Sequence, residues 1–157
     1  MDTTNADDLE WEETQRGDVE FRRKRLAEDG RAIGSSLYEV PPGKRSWPYH
    51  YHTANEEALF VLAGEGYLRT ADGDLPLETG DFVSIPAGEA GAHQVVNDGE
   101  VPLRYLLHST MIDPDVTVYP DTETFGVFVG AAPGGRGDRD LHGFYRIDGR
   151  TSYWDEE

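Results

Sequence analysis

The segment GKRSWPYHYHTANEEALFVLAG, residues 43–64, decides the fold. It places His50, His52 and Glu57 between a proline-interrupted approach and a run of aliphatic and aromatic residues. Successive side chains on a β-strand point to opposite faces, so His50 and His52 share one face, and Tyr49 and Tyr51 point to the other. If Glu57 opens the next strand, it returns a carboxylate to the histidine face, and its neighbour Glu56 then faces away into solvent. Downstream, GDFVSIPAGEAGAHQVVN, residues 80–97, brings a third imidazole, His93, near the start of a further strand. Three imidazoles and one carboxylate form a mixed nitrogen and oxygen donor set. Such a set suits a divalent transition metal (Fe, Mn, Ni, Cu or Zn) rather than calcium or magnesium, which prefer oxygen alone. The competing reading is a self-satisfied polar cluster inside a barrel. The cost of burying these groups without a strong partner weighs toward the metal.

Outward from this segment the chain breaks into short apolar runs separated by glycine, proline, asparagine and aspartate turns: Pro41-Pro42-Gly43, Gly64-Glu65-Gly66, Ala71-Asp72-Gly73, Pro86-Ala87-Gly88 and Asn97-Asp98-Gly99. The pattern predicts strands over 19–25, 32–40, 47–52, 57–62, 66–70, 81–85, 92–96 and 103–110, with weaker ones at 116–119 and 125–129. No segment carries a convincing helical stripe. Many short strands at this spacing predict an all-β sandwich or barrel, in which ligands from several strands converge. Residues 1–17 are acidic with few apolar positions and read as a mobile or loosely docked arm, with Leu9 and Trp11 as anchors. Residues 18–112 form the expected barrel. Residues 113–157 form a C-terminal extension whose aromatics are expected to pack on the barrel or on a second subunit.

Composition excludes several functions. The 157 residues correspond to one domain, and no apolar run approaches the ~20 residues of a membrane span. The acidic start lacks the basic and apolar regions of a signal peptide, so a cytoplasmic location is expected. No cysteine is present, which leaves histidine and carboxylate as the metal donors. Fourteen basic residues face 31 acidic ones, a formal charge of −17, and only Lys24 and Lys44 are lysines. A field this negative repels nucleic acid and anionic membranes. The lysine-poor acidic surface is also what concentrated salt would screen, a halophilic pattern. An acidic tail on an ordinary acidic surface is the alternative.

The two histidine segments resemble the two motifs of the cupins. The first motif is a glycine, a short spacer, HxH, a glutamate and, six residues later, a glycine; here it runs from Gly43 through His50, His52 and Glu57 to Gly64. The second reads Gly80, Pro86, Gly88, His93 and Asn97. The spacer before His50 is one residue longer than the usual form, and four residues rather than two separate Gly88 from His93. The extra pair is expected to enlarge a loop. The resemblance implies a double-stranded β-helix, or jelly-roll, barrel, with His50, His52, Glu57 and His93 as metal ligands and a small-molecule ligand or substrate inside. Cupins commonly pair through outer strands, so a homodimer is expected.

Cupin activities include dioxygenases, decarboxylases, isomerases and epimerases, and a dioxygenase-like metalloenzyme is slightly favoured on the sequence. An isomerase or epimerase of a sugar or keto acid, or a non-catalytic binding module, are the alternatives. His108, on a neighbouring predicted strand, is the weak candidate for proton transfer, set against a plain packing histidine. Arg104 is read as a charge-balancing residue more readily than as a carboxylate binder. Trp47, Phe60, Tyr67 and Phe82 are read as core, and His142 as a histidine without function. The halophilic reading has a direct check: melting in increasing potassium chloride is expected to give rising stability toward molar salt, and a flat or falling curve would refute it.

Overall fold

The computed structural model describes residues 1–27 and 32–154; the last three residues of the expected C-terminal extension lie outside them. Among the described residues thirteen strands follow in chain order: β1 (Glu12–Arg16), β2 (Val19–Arg25), β3 (Ile33–Val40), β4 (Tyr51–His52), β5 (Glu57–Ala63), β6 (Glu65–Thr70), β7 (Gly73–Glu78), β8 (Phe82–Ile85), β9 (His93–Val96), β10 (Leu103–Thr110), β11 (Asp115–Tyr119), β12 (Thr124–Val129) and β13 (Leu141–Arg146). Among the described residues helical structure is confined to single 3-10 turns. One sheet has the order β1-β2-β3-β10-β5-β8, a second β13-β12-β11-β4 and a third β7-β6-β9. The last two meet at the His50–His93 bridge, just before β4 and at the start of β9. The result is the jelly roll that the sequence implies.

The long antiparallel pairings of β10 with β3 and β5 form the centre of the first sheet. Val40, Leu59, Val61 and Leu103 on these strands are fully buried and join Leu68 and Leu77 from the third sheet in one apolar cluster. This closes one end of the barrel by hydrophobic burial. Asn97, the last residue of the second motif, is buried beside it. Its side-chain amide donates to Val40 O and Val101 O, and its oxygen accepts from Gly99 N. It ties the ends of three segments together.

The structure departs from the sequence reading in several places. The strand expected over 47–52 is reduced to Tyr51–His52, with isolated bridges at Arg45 and His50. Pro48 has no N–H to donate and interrupts the ladder. Glu12–Arg16, read as part of the arm, pairs along its length with β2, and Trp11 lies under Arg22 and Lys24 at 4.4 and 4.8 Å. In the C-terminal extension β11 and β12 fall where the sequence puts them, but β13 is added beside them in the second sheet, while Tyr153 and Trp154 stay exposed. Phe82, expected in the core, is 61% exposed because it falls on the outer face of the edge strand β8.

Candidate metal centre

The backbone brings His50 and His93 directly opposite one another. His50 N donates to His93 O at 3.1 Å, and His93 N to His50 O at 2.9 Å. Directly opposed residues of an antiparallel pair project to the same face, and the two rings lie 4.8 Å apart. His52, two residues on, shares that face and pairs with Thr117 of β11. Glu57 opens β5 in the first sheet, between Ile85 and Ser109. Side chains from all three sheets thus point into one interior space. His50, His52 and Glu57 present donor atoms within 4.8 Å of one another. His93 joins them, its Nε2 lying 3.3 Å from Glu57 Oε2.

Each imidazole is oriented by its other nitrogen. His50 Nδ1 donates to Pro48 O at 2.7 Å and His93 Nδ1 to Gly91 O at 2.8 Å. A carbonyl oxygen can only accept, so both Nδ1 atoms carry the hydrogen, and in the neutral ring both Nε2 atoms present lone pairs. His52 Nδ1 donates to Asp115 Oδ2 at 2.7 Å. Glu57 Oε2 is buried and has no hydrogen-bond partner although His93 Nε2 lies beside it. A lone-pair nitrogen and a carboxylate oxygen converging at this distance without a hydrogen bond between them are what a cation held by both would require. Three Nε2 atoms and a carboxylate fit a transition-metal ion, and the Nδ1 bonds are the outer contacts that fix ligand orientation at such sites.

Asp115 and Thr117 were not singled out in the sequence, where 113–115 reads as a turn. The Asp115 side chain is fully buried, accepts from His52 Nδ1 and from Ala54 N at 2.9 Å, and so couples β11 to the turn between β4 and β5. Thr117 Oγ1 stands 3.1 Å from the same imidazole nitrogen. The alternating Asp-Val-Thr-Val-Tyr of 115–119 is the signal that could have marked an inward-facing polar stripe. Burial works to keep His52 neutral, but the bond to Asp115 and the charge of Glu57 outweigh it and raise its pKa. Burial, followed by the neighbouring His93 and His52, pushes His50 well below the usual range. Burial alone would raise the Asp115 carboxyl, yet the His52 bond brings it below its ordinary value.

The enlarged loop before His93 does not displace it. It forms the 3-10 turn Glu89–Gly91, which begins at Gly88 with φ 88° and ends in the carbonyl that holds His93 Nδ1. Gly88 N also donates to His52 O at 2.7 Å, locking this turn onto β4. A Cβ at Gly91 would collide with Pro86 O, so the compact turn requires glycine there.

The donors open into a cavity of about 700 Å³. Tyr38 and Tyr105 are stacked on its wall, with ring centroids 5.2 Å apart, and burial raises the Tyr105 phenol well above its usual pKa, so it stays a neutral donor. Trp47 lies partly against the core and partly on the cavity wall, its Nε1 donating to Tyr38 OH at 3.1 Å. His108 alternates with the wall residues Leu107 and Ser109 and is not itself part of the wall. His142 is: it lies on β13, 4.8 Å from the Phe128 ring, with Nδ1 bonded to Val127 O. Arg104 is paired with Glu39 on the outside at 2.6 Å. Tyr49 points away from the donors, as expected, and packs under Arg69 at 4.3 Å.

Barrel and donor set together have the form of a cupin, and residues 36–109, a little under half of the chain, match the cupin domain family (Cupin_2). A curated oxalate-binding protein of Thermotoga maritima is 32% identical over 68 residues, 43% of this chain and 54% of that protein, so the match spans about half the relative's length. Among solved structures, a candidate sugar phosphate isomerase of Acidithiobacillus ferrooxidans superposes with a TM-score of 0.68 at 28% identity, covering 83% of this chain and 80% of that one. A sugar phosphate isomerase of the cupin superfamily from Silicibacter pomeroyi superposes with a TM-score of 0.79 at 24% identity over 99% of both chains, a likeness of fold.

Asp115→Asn is expected to weaken zinc or manganese binding by about 10–100-fold at high pH. The variant also removes what raises the His52 pKa. Proton competition, which lowers affinity as pH falls, then sets in at lower pH than in the wild type. Titration calorimetry across pH checks both; unchanged affinity and an unchanged pH profile would refute the orienting role.

Proposed function

We propose that the protein is a metal-dependent cupin that binds a divalent transition ion through His50, His52, Glu57 and His93 and isomerises a small, oxygen-rich organic molecule in the cavity. The observation that carries the metal reading is the buried Glu57 Oε2, without a hydrogen bond and 3.3 Å from His93 Nε2. When bound, the ion would polarise a substrate carbonyl or hydroxyl and stabilise an enolate. The chain's own residues do the rest. The phenols of Tyr38 and Tyr105 offer hydrogen bonds to substrate oxygens from one wall. His142 is the histidine on the wall outside the ligand set, and replaces His108 as the proton-transfer candidate.

Isomerisation takes the lead over the oxygenase reading because the A. ferrooxidans relative described as a candidate sugar phosphate isomerase resembles this chain over most of both lengths. A second reading, capture of a small carboxylate without turnover, is supported by the partial match to the oxalate-binding protein. The expected homodimer belongs to the same proposal, with the exposed Tyr153 and Trp154 as the contact surface.

Elemental analysis of untagged protein purified in high salt is expected to show near-stoichiometric transition metal, lost in a His50→Ala, His93→Ala variant. The loaded protein, incubated with a panel of aldose and ketose phosphates and small keto acids, is expected to interconvert isomers by NMR without oxygen uptake. Oxygen consumption would move the assignment to a dioxygenase, binding without turnover to the capture module, and absence of metal after reconstitution would refute the reading.

A further inference from the structure

A second cluster lines the same cavity, at the side where β1, β2 and residues 133–136 meet. Val19, Phe21, Arg23 and Arg25 of β2 alternate to the inner face, so two arginines occupy positions where a barrel strand ordinarily carries apolar side chains. Both are largely withdrawn from solvent, with side chains 12% and 18% exposed. Both donate through Nε to a single oxygen, Glu12 Oε2, each at 3.1 Å. Arg136 donates to the other oxygen, Glu12 Oε1, at 2.9 Å. Arg25 Nη1 also donates to Gly134 O at 2.7 Å, so the glycine-rich segment is drawn over this side of the cavity.

Two features separate this cluster from an ordinary structural ion pair. The first is charge: Arg23 and Arg25 share one carboxylate oxygen, and burial together with the proximity of Arg23 lowers the Arg25 pKa despite the contact with Glu12. In a protein of net charge −17, two inward-facing guanidinium groups on one strand are not there for lack of acidic residues. The second is donor geometry: among the described residues, nothing accepts from the two Nη groups of Arg23 or from Nη2 of Arg25. The planar face of Arg23 rests against the Trp47 ring at 5.3 Å, which holds the fork in place. A pre-oriented pair of guanidinium forks with unused donors is the chemistry that binds phosphate or carboxylate by paired hydrogen bonds.

We infer that Arg23 and Arg25, with Arg136 at the rim, form a subsite for a dianionic group, and that Glu12 is its resident counter-ion. This rests on the proposed metal site for the ligand's other end. The molecule held in the cavity then has two poles: oxygens directed at His50, His52, Glu57 and His93, and a phosphate or second carboxylate directed at the arginines. A neutral sugar or a monocarboxylate engages one pole alone.

The test uses full-length wild type, Arg25→Gln, Arg23→Gln and Glu12→Gln, each analysed for bound metal and melted in sodium phosphate or sodium malonate against sodium chloride of equal ionic strength. Wild type is expected to gain a few degrees from the dianion. Glu12→Gln, having lost the competing carboxylate, is expected to melt lower in chloride and to gain more than wild type. The arginine variants are expected to lose the gain with metal content unchanged. Should one arginine variant fail to fold, the other and the Glu12→Gln comparison still decide. A larger gain in phosphate assigns a phosphorylated ligand; a larger gain in malonate assigns a dicarboxylate. No gain over chloride in wild type and Glu12→Gln overturns the subsite, as does a gain that survives in the arginine variants. A Glu12→Gln protein that melts lower with an unaltered gain reduces the cluster to a structural tie and equally overturns it. A dianion gain in metal-free protein would count against the metal reading alone, and metal-loaded protein without the gain against the subsite alone.

Discussion

Glu57 Oε2 and His93 Nε2 lie 3.3 Å apart with no hydrogen bond between them, while His93 Nδ1 donates to the Gly91 carbonyl on the far side of the ring. Like-polarity groups held together out of water cost several kcal/mol unless a proton or a metal ion joins them. Much of the surrounding structure serves to hold that arrangement. The His50–His93 backbone pair joins the edges of two sheets, Asp115 fixes His52 from a third direction, and the Glu89–Gly91 turn carries both the His93 acceptor and a bond to β4. The apolar cluster of the barrel supplies the rigidity that keeps these donors converging.

The interior is organised in three chemical zones. Aliphatic side chains close one end, imidazoles and a carboxylate occupy the middle, and guanidinium groups line the side next to β1. Stacked tyrosines Tyr38 and Tyr105 form the wall that the metal donors share with the cavity. Against an exterior dominated by acidic residues, this concentrates positive charge where an anion entering the barrel would be held. The acidic surface therefore says little about the ligand; the residues facing inward say more.

The fold was legible because turn residues punctuate the chain and because strand alternation places His50, His52 and Glu57 without knowledge of distant contacts. β2 and β10 fall where the sequence puts them. The strands that escaped, β1, β7 and β13, are all edges of their sheets. Edge strands carry charge and proline to avoid pairing with other chains, as Glu12, Glu13 and Pro76 do in β1 and β7, and that composition hides those two from a search for apolar runs. Asp115 escaped for a different reason: its role depends on β11 meeting β4, a pairing across more than sixty residues. Likewise the inward direction of Arg23 and Arg25 is visible in the alternation of β2, but their common partner Glu12 is visible only once β1 is seen to pair beside them.

The central claim, that the four converging side chains exist to hold a metal ion, is tested most directly by X-ray absorption spectroscopy of protein reconstituted with manganese or zinc. The account predicts a first shell of nitrogen and oxygen donors with the outer-shell scattering of three imidazoles, falling to two in His93→Ala. A spectrum of hydrated ion without imidazole scattering, or one unchanged in His93→Ala, would contradict it.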